Sequence, residues 1–141
     1  MSEFVRIACP VCLAANRVPA ARLAEDPMCG KCGAALLDGH PAELREDQFE
    51  AFVQRTELPE LADFWAPWCG PCRAMAPHFE RAARELKDRV RLVKVNTEEA
   101  SGLAQRYGIR AIPTLVLFKD GAEVKRASGA MDAGALARWA A

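Results

Sequence analysis

Six cysteines carry most of the chemical information in this sequence. They fall into three Cys-x-x-Cys pairs: Cys9/Cys12, Cys29/Cys32 and Cys69/Cys72. Thiolates at that spacing either hold a metal ion from a tight turn or close a small disulfide ring and reopen it. Cys9-Pro10-Val11-Cys12 and Cys29-Gly30-Lys31-Cys32-Gly33 are separated by sixteen residues, the spacing of paired zinc knuckles. Gly30 and Gly33 permit the backbone geometry that turns N–H groups toward sulfur. Four sulfurs close a tetrahedral site with no open position. The expectation is therefore one structural zinc ion on Cys9, Cys12, Cys29 and Cys32, and no organic cofactor. Two extra redox disulfides or an iron site are the alternatives.

The third pair, Cys69-Gly70-Pro71-Cys72, has a different setting. It stands between a predicted strand, Leu61 to Trp65, and a predicted helix whose apolar face is Cys72, Met75, Ala76, Phe79, Ala82, Ala83 and Leu86. A structural disulfide, half a zinc site or a chance pair would share the spacing, but the strand–turn–helix context points to redox chemistry. The helix begins near Cys69, where free N–H groups and the positive dipole end favour thiolate over thiol. Cys69 is thus the attacking thiolate, and Cys72, one turn inside and less exposed, resolves the mixed disulfide. Pro71 suits an early helical position and stiffens the ring. Asp63, flanked by apolar strand residues six positions before Cys69, is a candidate buried carboxyl with a raised pKa, able to exchange a proton near neutrality.

These groups need elements to position them. The chain has 141 residues, 51% hydrophobic and 27% charged, which excludes extensive disorder. Residues 1–37 read as a small metal-dependent unit. They hold two short strands, Phe4 to Ala8 and Asn16 to Pro19, and few large apolar residues, among them Phe4, Val5, Ile7, Val11, Leu13, Val18, Leu23 and Met28. Residues 38–141 form the second unit, entered through a turn-rich join at 38–41. Pro41 to Leu44 reads as an edge strand, Phe49, Phe52 and Val53 as a helix face, and Val90 to Val95 as a central strand. Leu103, Ala104 and Tyr107 suggest a helix. Thr114 to Phe118 and Glu123 to Ala127 flank an Asp120-Gly121 turn, and Asp132 caps a last helix carrying Leu136 and Trp139. Pro77 is expected to kink its helix. The alternation gives an α/β fold, a mixed sheet with helices on both faces. Lys+Arg and Asp+Glu are both 19, so bulk nucleic-acid binding is not expected. No apolar run spans a bilayer and no signal segment is evident at the start, so a cytoplasmic protein without a membrane partner is expected. A monomer is the expected state. His40 and His78 are too isolated to read as ligands.

Asp63-Phe64-Trp65-Ala66-Pro67-Trp68-Cys69-Gly70-Pro71-Cys72 resembles the active-site segment of the thioredoxin family. Tyr107-Gly108-Ile109-Arg110-Ala111-Ile112-Pro113-Thr114-Leu115 is similar to that family's cis-proline loop. Phe118-Lys119-Asp120-Gly121 and Ser128-Gly129-Ala130 resemble its later hairpin and glycine. With its four-cysteine head the whole chain looks like the zinc-containing cytosolic branch of the family, the thioredoxin 2 type. The resemblance implies a thioredoxin fold with a zinc-ribbon-like N-terminal domain, and protein disulfide reduction recycled by a flavin-containing, NADPH-using thioredoxin reductase. It assigns Asp63 to deprotonation of Cys72, pairs Lys94 with Asp63, and makes the Ile112–Pro113 bond cis. Trp68, Gly70, Pro71, Ile112, Pro113, Gly129 and Ala130 become the groove for oxidised protein substrates. Trp65 reads as packing. Glu60 departs from the family's apolar strand position and suggests a later strand start or a wet edge. Arg73 stands where many members carry Lys. A zinc-regulated adaptor or sensor is the rival reading. An oxidant or isomerase role is disfavoured by Gly70-Pro71.

Overall fold

The computed structural model describes residues 3–141. In the head, β1 (Phe4–Ala8) and β2 (Ala15–Pro19) pair antiparallel, and a single 3₁₀ turn follows at Ala20–Arg22. The body runs β3 (Ala42–Glu43), α1 (Glu46–Gln54), β4 (Glu60–Trp65), α2 (Gly70–Glu85), β5 (Arg91–Asn96), α3 (Ser101–Arg106), β6 (Thr114–Lys119), β7 (Ala122–Ser128) and α4 (Ala133–Ala140). Its five strands are ordered β3-β5-β4-β6-β7. The β3–β5 and β4–β5 pairs are parallel, and β4–β6 and β6–β7 antiparallel.

Alternation along the central strands divides two cores. Ala62, Phe64, Val93, Val95, Val116 and Phe118 face α1 and α3, where Phe49, Phe52 and Leu103 meet them. Leu61, Leu92, Leu115 and Leu117 face α2 and α4, against Met75, Phe79 and Leu136. Asp63, two residues from Leu61, therefore lies on the α2 side of the sheet. Asp132 caps α4 by accepting from the Ala135 N–H at 2.8 Å. α2 continues through Pro77.

Two expectations need correction. Glu60 is inside β4 and 1% exposed, so the strand neither starts later nor has a wet edge there. Its parallel-register neighbour is Arg91, itself buried and donating to the His40 carbonyl at 2.9 Å. Burial pushes the Glu60 carboxyl up to about 9, against the attraction of Arg91. Raised this far, the carboxyl is neutral at pH 7, and Arg91 on the adjacent strand offsets only part of the effect of burial.

The head also has more core than the sequence suggests. Ile7, Val18, Leu36 and Leu37 gather around Cys9 and Cys29, and Leu58 of the body joins them. The backbones are tied as well. The Ala8 N–H donates to Thr56 Oγ1 at 3.1 Å, and the Glu57 N–H donates to the Arg6 carbonyl at 2.8 Å. Arg55 donates to the Leu13 carbonyl at 2.8 Å, and Lys87 pairs with Asp26. Residues 55–58 lead into β4 and Lys87 follows the far end of α2, whereas Cys69 lies just after β4 and caps the start of α2, so head and disulfide lie at opposite ends of the central strand.

Candidate active site and metal centre

The chain turns from β4 into α2 over Ala66–Trp68, and Cys69 becomes the helix N-cap. The Cys72 N–H donates to Cys69 Sγ at 3.2 Å, so sulfur stands where a capping oxygen would be. Pro71 is in the first turn, where its missing N–H costs no bond. Cys69 and Cys72 are joined as a disulfide with Cα atoms 5.2 Å apart, and are 5% and 2% exposed. A hydrogen-bond donor and a helix N-terminus are thus already aimed at the sulfur that must carry negative charge after reduction.

Ile112 and Pro113 close over this pair. Their peptide bond is cis, and the Ile112 carbonyl oxygen lies 3.7 Å from Cys69 Sγ. The Gly129 N–H donates to the Pro113 carbonyl at 2.9 Å, with Gly129 at φ +103°, a conformation that favours glycine. Thr114 Oγ1 bonds the Ala111 carbonyl and lies 3.3 Å from the Ser128 hydroxyl, fastening the two loops together. Gly70, Pro71 and Ala130 are exposed, and Trp68 is 66% exposed. The Trp68 indole donates to Glu98, which the sequence reading missed. Asn96 orients Glu98 by accepting its N–H at 2.9 Å. No spacing in the sequence signals this contact, because it joins a turn after β5 to the turn before α2.

Asp63 is 1% exposed, and neither carboxylate oxygen has a hydrogen-bond partner among the described residues. Burial raises its pKa from 3.8 to about 7, with Lys94 pulling the other way. Lys94 is its parallel-register neighbour, yet the ammonium stands 4.4 Å from the centroid of the Trp65 ring and makes no hydrogen bond to the carboxylate. A carboxyl titrating near neutrality can accept a thiol proton and give it back. The native state holds the Asp63 proton more tightly than the unfolded chain does. The resulting stability is complete below about pH 4 and lost as pH rises to about 7. Asp63→Asn should therefore melt higher than wild type at pH 8, by an amount on the order of a few kcal/mol, and lose that advantage toward pH 4. Thermal melts of the oxidised proteins across that range check the slope. A constant difference between the two would remove the buried ionisation.

In the head, Cys9, Cys12, Cys29 and Cys32 place all four Sγ atoms within 4.8 Å of one another. Cys9 and Cys32 are 3.5 Å apart, Cys12 and Cys29 3.7 Å. A zinc ion bound by thiolates at about 2.3 Å sets sulfur–sulfur edges of about 3.8 Å, so the donor set fits. Val11 and Cys12 N–H groups approach Cys9 Sγ at 3.4 and 3.5 Å, and the Lys31 N–H approaches Cys29 Sγ at 3.4 Å. The Asn16 amide reaches Cys29 Sγ at 3.5 Å while its oxygen accepts the Gly30 N–H at 2.9 Å. The Cys32 N–H and then Asn16 lead in lowering the Cys29 thiol to about 6. Cys32 goes the other way, up to about 11: the Ala34 N–H lowers it, but the Cys9 sulfur, burial and the remaining sulfurs outweigh that. Four sulfurs this close share negative charge fully only around a cation. His40 points elsewhere, 3.0 Å from Glu80.

Comparison with known proteins agrees with this geometry. The thioredoxin family model matches residues 40–141, and the model described as "Thioredoxin 2, N-terminal", a zinc ribbon, matches residues 8–34. "Thioredoxin C-3" of Corynebacterium nephridii is 45% identical over 133 residues, 94% of this chain and 91% of that protein. "Thioredoxin 1" of Synechococcus elongatus is 47% identical over 96 residues, 68% of this chain and 90% of its own. Among solved structures, thioredoxin F from spinach chloroplast superposes with a TM-score of 0.67 at 33% identity, over 74% of this chain and 86% of that one.

Proposed function

From the premise that the chain belongs to the thioredoxin family and is a thiol–disulfide oxidoreductase, we propose that it reduces protein disulfides through Cys69 and Cys72. The observation that carries this reading is the Cys69 sulfur at the N-cap of α2, bonded by the Cys72 N–H and facing the Ile112 carbonyl. In the reduced protein the Cys69 thiolate attacks one sulfur of a target disulfide and expels the other as thiolate. Cys72 gives its proton to Asp63 and attacks Cys69. The second target sulfur leaves as thiolate, and the dithiol has delivered two electrons in becoming the Cys69–Cys72 disulfide. The exposed Trp68, with Gly70, Pro71, Ile112, Pro113, Gly129 and Ala130, forms the groove in which an extended target segment lies. Thioredoxin reductase, drawing on NADPH, returns the dithiol.

One zinc ion on Cys9, Cys12, Cys29 and Cys32 has a structural role, supported by the closed donor set and by its distance along β4 from the disulfide. The compartment is the cytoplasm, where reducing conditions keep such thiolates available. The protein works as a monomer. The test is reduction of insulin with NADPH and thioredoxin reductase. Catalytic turnover supports the reading, and stoichiometric binding of targets without turnover would favour an adaptor.

A further inference from the structure

Trp65 stands two residues beyond Asp63 on β4, so both side chains belong to the α2 side of the sheet, and Lys94 projects from that side of β5 in register with Asp63. A lysine there has two places to put its charge. One is the dry carboxylate beside it, the other the ring face beyond. It takes the ring, at 4.4 Å from the centroid, and both Asp63 oxygens stay without a hydrogen bond. We propose that Trp65 is a positioning residue for the redox reaction: its ring face holds the Lys94 ammonium off Asp63, leaving the buried carboxyl without a hydrogen-bonded cation.

The consequence follows from what faces Asp63. From β5 it meets Lys94. From β6 its register partner is Leu115, uncharged. From α2, which packs on this side of the sheet, the buried side chains are Cys72, Met75, Phe79, Ala82 and Ala83, of which Cys72 is the titratable one, joined by Cys69 at the cap. Lys94 is thus the one charge whose placement is adjustable. An ammonium hydrogen-bonded to the carboxylate would hold Asp63 ionised well below neutrality, by about one to three pH units, and make it a poor acceptor for a thiol proton. Trp65 and Lys94 also line a 540 Å³ cavity with Glu43, Glu46, Asp47 and Glu99. Those four carboxylates are exposed, so water and salt weaken their hold on a released lysine relative to that of a dry neighbour. The ring contact is the restraint that competes with Asp63.

The proposal deepens the proton role given to Asp63, and its test reads that carboxyl directly rather than through turnover. The ¹³C shift of the Asp63 carboxyl is followed against pH in the full-length oxidised protein. Trp65→Leu should lower the midpoint by about one pH unit as Lys94 swings over, and Lys94→Met should raise it. The double variant should titrate like Lys94→Met, because Trp65 acts only through the lysine. Trp65→Phe keeps a ring face and should stay near wild type. A merely structural Trp65 would move the Leu and double variants alike. Equal shifts in those two, or an unmoved midpoint in folded Trp65→Leu, overturn the proposal. Should Trp65→Leu fail to fold, the wild-type Lys94 side-chain protons decide: ring-current shifts to high field support the contact, and ordinary shifts overturn it. If the midpoints move as stated but the pH profile of turnover does not, the placement of Lys94 stands and the proton role of Asp63 falls.

Discussion

Cys69→Ser should abolish insulin reduction, a loss on the order of 10³-fold or more, and should leave the fold intact. The size of the effect comes from one atom. At neutral pH a serine hydroxyl at the cap of α2 is still fully protonated, whereas a thiol there is drawn toward thiolate by the Cys72 N–H and the helix N-terminus. Although the residue is buried, the structural cost is small, because oxygen is smaller than sulfur and can accept the same N–H. The reductase-coupled insulin assay checks it, with circular dichroism as the control for folding. Residual turnover within tenfold of wild type would mean that Cys69 is not the nucleophile.

Stripping the zinc proposed for the head is the second large effect expected. Structural zinc in four-thiolate sites contributes roughly 10 kcal/mol or more of folding free energy, and the small cluster around Ile7, Leu36 and Leu37 does not by itself offset the ordering of the head's backbone. Chelation should dissolve the amide dispersion of residues 4–37. Residues 60–140 should keep theirs, since both faces of their sheet have cores of their own. Leu58 and the Thr56 and Glu57 hydrogen bonds belong to the joint, so resonances of residues 55–59 should shift with the head. Thiol counting gives the same answer chemically. The reduced, metal-loaded protein should show two fast thiols, Cys69 and Cys72, and the stripped protein six. Protein purified without bound zinc, or six equally reactive thiols from the outset, would contradict the closed site.

The parts of the molecule that were legible beforehand are those where local pattern and global fold agree. β1 is read at its observed bounds because the mostly apolar, β-branched run Phe4 to Ala8 is stopped by the knuckle at Cys9. Asp132 is recognisable as a cap because an acidic residue precedes an apolar helical stripe. Three cysteine pairs separate by context alone, and the structure brings four of the sulfurs to one point and bonds the other two. What stayed hidden depends on two distant residues at once. Glu60 looks misplaced until Arg91 is found beside it on β5. Leu36 and Leu37 gain weight only when Leu58 completes their cluster. Glu98 and Asn16 are ordinary polar loop and strand residues in one dimension, and the fold puts one on the Trp68 indole and the other on a knuckle sulfur. The family resemblance paired Lys94 with Asp63; the two are register neighbours, but the ammonium lies over the Trp65 ring, because register does not say which of two neighbours a long side chain chooses.

The central claim, that Cys69 attacks and Cys72 releases, is tested most directly by trapping. Cys72→Ser should stop the cycle after the first exchange and hold oxidised targets as stable mixed disulfides, because no second thiolate remains to attack Cys69. Mass spectrometry of the trapped species, after blocking free thiols, reads the linkage to the residue. The expected result is a target cysteine joined to Cys69, reversed by dithiothreitol and missing from the Cys69→Ser/Cys72→Ser double variant. Targets trapped instead by Cys69→Ser, through Cys72, would reverse the assignment and contradict the account.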